Sequence, residues 1–367
     1  MSEHAIYLCD PAGNRLAMLD KARNFSYAKI ANAPGWFNIV LPPDYDDLLR
    51  VDGIVEIWRA PTDARSTLAF AGLLRHITYT TDVNGVDGTT ISGSDFNELI
   101  SRRIVAYAAG TAYADKTDQA DDMLKALAYE NLGAGATDTT RTQSGFTDAA
   151  DLAAGVSVTK AFAWRNMLRV FNDITAASAT GGTDVYWWVD YDPETQATLL
   201  QTKTGYPGQD RTEGSTNSPA IFGVEWGNLS APSLELDYTE EITHAYAGGQ
   251  GEGSDRVTGT ASDTTRSGRS IFGRREAFAD ARMCTTAAGV TDAADSLLHE
   301  GRARLRFRGA LLDSPQARYG VDWNFGDQVT ITYRGYQFSA IVKTVEISIN
   351  AMGREFVSAG VEVVGDL

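Results

Sequence analysis

The sequence has 367 residues, 43% of them hydrophobic and 22% charged, with 32 Lys and Arg against 48 Asp and Glu, a net charge of −16. That length and globular composition call for two or three domains with sizeable cores, and the acidic balance excludes a protein that grips DNA through dense positive charge. No apolar run approaches the roughly 18 residues of a membrane span, the start MSEHAIYLCDPAGNR lacks the basic and apolar regions of a signal peptide, and the two cysteines, Cys9 and Cys284, form no disulfide framework and suit a reducing cytosol.

The first hundred residues read as short strands over 5–9, 15–20, 24–31, 36–41, 54–58, 67–80 and 88–92. Turn residues such as Asp10-Pro11, Gly13-Asn14 and Asn84-Gly85 separate several of them, which favours a barrel or sandwich. GSDFNELISRR then gives Asp95 as N-cap and Glu98 three residues on, a capping box that marks the exit from the first domain. From about Ala108 the composition shifts to Ala, Gly, Thr and Asp. TDQADDMLKALAYENLG is helical, with Asp118, Asp121 and Asp122 at its start and Gly133 as its stop. Residues 133–157 read as a long loop or linker. A second helix follows Thr159 as N-cap, with Trp164, Met167, Leu168, Phe171 and Ile174 at helical spacing. A hairpin turns at Asp192-Pro193. Strands return near Leu234, followed by a Gly-, Ser-, Asp- and Thr-rich loop at 250–268 expected to be mobile in the free chain. A helix is expected at 291–304, then closing strands. The expected domains are 1–107, 108–232 and 233–367.

The last strands repeat the first domain. FAGLLRHITYTTDVNG (70–85) aligns without a gap on FSAIVKTVEISINAMG (338–353), Phe70 on Phe338, Arg75 on Lys343, Ile77 on Val345 and Gly85 on Gly353. Because strand side chains alternate faces, each copy has an apolar row interrupted by one basic residue and a polar row opposite. VEIWR (55–59) precedes the first copy as VTITYR (329–334) precedes the second, and a further strand follows each. Duplication explains a gap-free match with ordered flanks better than two unrelated amphipathic meanders do.

Chemistry-bearing patterns are few. His4, His76, His244 and His299 have no metal-ligand spacing, and His299-Glu300 is not HExxH. Gly248–Asp255 (GGQGEGSD) follows a strand but lacks the helix and Lys of a phosphate loop. Asp190, Asp192 and Glu194 lack the glycine and distant Glu of a calcium loop. Trp187 and Trp188 could stack on sugars, but adjacent strand residues face opposite ways, so one belongs to the core. No Ser has a GxSxG context, and no carboxylate pair stands out. The reading is no catalytic, cofactor or metal residue.

With the repeat, GSDFNELISRR, LDYTEEITHAYAGGQGEG and FGDQVTITYRG…VEISIN in this order, the chain resembles the tail hub proteins of long-tailed phages, relatives of the contractile-tail baseplate hub. The resemblance covers most of the chain and is weakest over 108–232. It implies a mainly β fold with an α/β insertion, two duplicated tube-type barrels per chain and a homotrimer closing a pseudo-six-fold ring. It also implies a structural hub of the virion tail tip, made in the host cytoplasm, that matches a six-fold tail tube to a three-fold tip. DNA would pass through its channel at genome ejection without specific binding. The implied neighbours are the tail tube or distal tail protein, the tape measure protein, and tail fibre or tip proteins. Many relatives carry a peptidase or receptor-binding extension, whereas this sequence stops at Leu367, so lytic or host-recognition activity is expected from other chains. The competing readings are a polysaccharide-degrading enzyme and a carbohydrate-binding receptor module.

Overall fold

The computed structural model describes residues 3–22, 24–61, 65–106, 114–136, 138–162, 164–282 and 287–363. The chain parts into two compact units, one of residues 1–232 with 309–362 and one of 233–308 with 363–367. The expected 233–367 segment is thus divided. Its last strands join the first unit because one of them pairs with a strand near the N-terminus.

In the first unit, β1 (Glu3–Cys9), β2 (Arg15–Met18), β3 (Asn24–Ile30), β4 (Trp36–Leu41), β5 (Ile54–Ala60), β6 (Thr67–Thr81) and β7 (Asp87–Asp95) all fall on predicted strands. Their alternating apolar residues build the core: Leu8, Phe37, Ile39, Ile57, Phe70 and Ile91 are buried, and Phe70 packs against Tyr27 and Phe37 at 5.5 and 6.1 Å. A short helix α1 (Glu98–Ser101) follows. Asp95 is not its cap, since it remains in β7 opposite Gly72 while Asn97 takes the N-cap position.

The insertion contains β8 (Ala114–Gln119), α2 (Ala120–Asn131), β9 (Phe146–Asp148), β10 (Ser157–Phe162), α3 (Met167–Thr180), β11 (Val185–Tyr191) and β12 (Thr198–Thr204). Met123, Leu124 and Leu127 of α2 and Val170, Phe171 and Ile174 of α3 share one apolar cluster with Trp187 and Leu200. Phe171 meets Trp187 edge-on at 5.3 Å. Two expectations fail here. Thr159 caps no helix: it lies in β10 opposite Thr117, where buried Val158 and Phe162 share one face of an extended segment. The helix starts at Met167, and Asn166 caps it by accepting from the Arg169 N–H. Nor is 133–157 only a linker, because β9 pairs in parallel with β12. The hairpin at Asp192-Pro193 is present as β11 and β12.

Short β13 (Asp210–Arg211) and β14 (Ile221–Gly223) lead to β15 (Leu229–Asp237), through which the chain leaves the first unit. The second unit holds β16 (His244–Gly248), β17 (Thr258–Ser262), α4 (Thr264–Ser267), β18 (Glu276–Asp280) and α5 (Ala287–Glu300), and the chain returns through β19 (Arg304–Leu312). The expected loop 250–268 therefore carries regular structure: β17 pairs with β16, and the Asp263 carboxylate caps α4 through the Arg266 N–H. The predicted 291–304 helix begins one turn earlier. Its Val290 and Ala294 pack on Ala245 and Ala247, and Gly259 permits the approach, since a Cβ there would lie 2.8 Å from the Thr291 nitrogen.

Back in the first unit, β20 (Gln328–Tyr333), β21 (Tyr336–Ile349) and β22 (Glu355–Val363) complete a 14-stranded sheet ordered β15-β19-β22-β21-β3-β4-β7-β6-β5-β1-β2, with β13, β14 and β20 off this path. The expected duplicated barrels are not closed among the described residues. The halves are continuous because β21, at 14 residues, is long enough to pair with both β20 and β3. The order β3-β4-β7-β6 in one half is matched by β15-β19-β22-β21 in the other.

Candidate functional site

The repeat recognised in the sequence is a repeat of hydrogen-bond register. In the first copy Ile54, Val55 and Ile57 stand opposite Leu73, Gly72 and Phe70; in the second Gln328, Val329 and Ile331 stand opposite Ile341, Ala340 and Phe338. The turns agree as well. The Asp82 carboxylate accepts from the N–H groups of Asn84 and Val86, and the Asn350 side-chain oxygen accepts from Met352 and Arg354. Gly85 and Gly353 close these turns at φ of 75° and 74°, a left-handed conformation that glycine adopts without strain.

What differs is what lies alongside. Thr344 to Ile349 of β21 pair with β3, which follows β20 along one edge while β22 holds the other. Among the described residues, the matching stretch of β6, residues 76–81, pairs only with β7, because β5 ends opposite Leu73. Val345 and Ile347 are each 1% exposed, whereas Tyr79, the counterpart of Ile347, is 61% exposed. The basic residues follow suit. Arg75 makes an exposed ion pair with Asp52 at 2.8 Å. Lys343 reaches Glu362 at 2.6 Å and lies 4.3 Å over the Tyr186 ring. Burial works to lower the Lys343 pKa, but Tyr186 and Glu362 outweigh it and leave the ammonium above its ordinary value.

A buried ion cluster holds the covered copy in place. Arg59 at the end of β5 donates twice to Glu355 at the start of β22, at 2.9 and 2.8 Å, and once to the Tyr319 carbonyl at 3.0 Å. His4 Nε2 lies 3.1 Å from the same carboxylate. Burial alone would raise the Glu355 pKa, yet Arg59 and His4 hold it at about 2. Gly320 admits the guanidinium, for a Cβ there would sit 2.7 Å from Arg59 Nη1. The repeat partner of Glu355 is Asp87, which among the described residues accepts from the Thr81 hydroxyl alone, at 2.7 Å on the surface.

The other edge facing this sheet is closed by side chains. Asn32 accepts from the Trp187 N–H at 2.9 Å and donates to the Val185 carbonyl at 3.0 Å, while Asn97 accepts from the Val189 N–H at 2.7 Å and donates to the Ala33 carbonyl at 2.9 Å. Alternate residues of β11 thus find amide partners in place of a strand.

The remaining sequence candidates stay apart. His76 is exposed, His244 contacts the Thr243 hydroxyl at 3.2 Å, and His299 contacts Arg302. Cys9 is buried, and burial with Glu56 pushes its thiol up to about 12; Cys284 lies outside the described residues. The carbonyls of Gly248 and Gly249 accept from Arg256, so this loop is pinned by a side chain. Asp192 caps its own turn by accepting from the Glu194 N–H and the Thr195 hydroxyl, which hold its pKa low. Trp187 is core and Trp188 lines a cavity, as strand alternation requires. Sequence reasoning missed Arg59, Glu355 and the two asparagines, whose contacts span up to 296 positions. It also missed the grouping of Asp121, Asp122 and Asp151. Burial and Asp151 push Asp122 up to about 7, and Lys125 donates to Asp121 at 3.3 Å.

The architecture is that of phage tail proteins. The chain is similar over its whole length to the tail protein from Neisseria meningitidis MC58, at 13% identity and a TM-score of 0.54 over 98% of this chain and 96% of that one. It is similar to the 43 kDa tail protein of prophage MuSo2 from Shewanella oneidensis at 9% identity and 0.56, over 98% of both chains. Prophage tail protein gp18 from Listeria monocytogenes EGD-e gives 11% and 0.56, over 97% and 94%. Residues 5–361 match the model of the siphovirus ReqiPepy6 Gp37-like proteins, and the chain belongs to that family. No curated protein matches the sequence. Its fold is shared with these phage tail proteins, and no described helix is long and apolar enough to cross a membrane.

Proposed function

We propose that the protein is the hub of a siphophage tail tip, in which three copies join head to tail and present six related β units to a six-fold tail tube. Residues 1–107 supply one unit of each copy, β15 with β19 to β22 supplies the other, and the residues between 107 and β15 are the insertion. One observation carries this reading: the edge of β21 that β3 covers within the chain is open at the equivalent place in β6. A free strand edge templates pairing, and the repeated strand order names the partner. β15 holds the place of β3, so β15 of the next copy completes β6, and repetition of that heterologous contact generates a closed ring. The ring encloses the channel for DNA exit. At −16 per copy its charge opposes phosphate binding, which lets DNA pass without being held. The tube or distal tail protein and the tape measure protein contact its faces, with fibre or tip proteins beyond.

The register of the contact can be specified. Leu312 stands opposite Ser358 as Val40 stands opposite Thr90, and Leu312 donates to the Asn228 carbonyl where Val40 pairs with Asn24. Ser230 then corresponds to Ser26 and Thr80 to Ser348, which are partners in the covered copy. In assembled tails, Thr80→Cys with Ser230→Cys should give disulfide-linked species ending at trimers under oxidation, while either substitution alone gives none. Assembled hubs that remain uncrosslinked, or that stop at dimers, would refute the ring.

A further inference from the structure

Apart from assembly, the first unit contains a cavity of about 630 Å³, within the range of roughly 300–1,000 Å³ typical of small-molecule sites. Lys29 of β3, Trp58 of β5, Asp95 of β7, and Trp188 and Asp190 of β11 line it. Trp58 is held by its indole N–H, which donates to Glu56 at 3.0 Å. Trp188 is directed into the cavity because Trp187 and Val189 on either side belong to the core. The Lys29 ammonium has no hydrogen bond or ion pair among the described residues, while its backbone pairs with Val345. Asp95 accepts from the Asn97 N–H at 3.1 Å and also from the Gly35 backbone, and Asp190 is exposed. Half-buried and exposed ionisable groups that converge on aromatic walls, with an unpaired ammonium among them, are the mark of a binding site rather than of packing. Burial lowers the Lys29 pKa, and it raises that of Asp95 to about 7 against the opposing Gly35 and Asn97 hydrogen bonds, so the Lys29 ammonium is the group open to a hydrogen-bonding partner.

We infer that this cavity binds one neutral pyranose unit of a saccharide. The two indoles offer flat apolar faces to the C–H side of a sugar ring. Hydroxyl groups both donate and accept, so one ligand can donate to Asp95 and Asp190 and accept from Lys29. A purely aromatic ligand would leave the carboxylates without donors. An anionic sugar would meet two carboxylates against one ammonium.

The test is saturation-transfer NMR and tryptophan fluorescence on the full chain, titrated with methyl glucoside, methyl galactoside, N-acetylglucosamine and glucuronate. At least one neutral sugar should bind saturably with a Kd on the order of 1 mM. Trp188→Ala should weaken binding at least about tenfold, as an alanine that removes a stacking face does, while Trp188→Phe should largely restore it. Circular dichroism and the melting temperature should match the parent in both variants. Absence of saturable binding by every neutral sugar, or equal binding by the folded Trp188→Ala variant, would overturn the site. Preference for glucuronate would overturn its assignment to neutral sugars.

Discussion

The hairpins at 54–95 and 328–363 have the same register and the same turn, yet one is a finished piece of protein and the other is not. In the second, β3 and the Arg59–Glu355 cluster enclose the strand; in the first, the same backbone ends against water. Local sequence determines the hairpin, whereas its exposure is decided by which strand lies next to it. A duplicated unit can therefore be stable at one position and adhesive at another without any change in its own fold.

The largest separation between the copies is expected at the ion cluster. Glu355→Ala leaves the Arg59 guanidinium buried without its carboxylate, and loss of one partner of a buried pair costs about 3–5 kcal/mol. Asp87→Ala, at the equivalent surface position, should change stability by less than about 0.5 kcal/mol. Urea denaturation of the two variants measures the contrast, and equal costs would mean that the cluster does not distinguish the copies. Acid should expose the same difference. The folded pKa of Glu355 is depressed to about 2 from an ordinary 4.5, so its stabilisation is complete above the ordinary value and disappears as pH falls from about 4.5 through about 2. Melting temperatures of the parent should drop across that window more than those of Glu355→Gln.

Next in size is the covered row. Ile347→Ala should destabilise the isolated chain by about 2–5 kcal/mol, as loss of a fully buried aliphatic side chain does. Tyr79→Ala should cost the isolated chain less than about 1 kcal/mol but shift the assembly equilibrium toward free subunits, read by analytical ultracentrifugation. A large cost in the free chain would show that Tyr79 is already packed there. The smallest effect serves as the control. Gly85→Ala and Gly353→Ala each force a left-handed residue and should cost about 1–2 kcal/mol, alike in both copies because the two turns share their geometry. Unequal costs by chemical denaturation would break the equivalence at its base.

Much of this was legible in the sequence. Period-two alternation located the first seven strands and the closing three, and the gap-free match between Phe70 and Phe338 became a shared register over 54–57 and 328–331, beyond which a bulge at Ile57 and Trp58 sets the first copy apart. Helical spacing placed α2 and the body of α3. The failures have physical causes. β8 (ADKTDQ) and β18 (EAFAD) are short and charged, with little apolar alternation. Thr159 looks like a cap only if the residues after it are helical, and tertiary pairing with Thr117 keeps them extended. The union of β3 with β21 joins residues more than 300 positions apart, and nothing local encodes it. For the same reason the Arg59–Glu355 pair and the Lys29 cavity emerge only from the fold.

Asn32 and Asn97 give the molecule a means of choosing its neighbours. By occupying alternate backbone groups of β11, their amides remove one adhesive border from the surface and leave the border of β6 uncovered. Each further open border would give chains another route for joining and favour branched aggregates. With β11 covered by these side chains, the strand edge there no longer offers its alternate backbone groups to another chain.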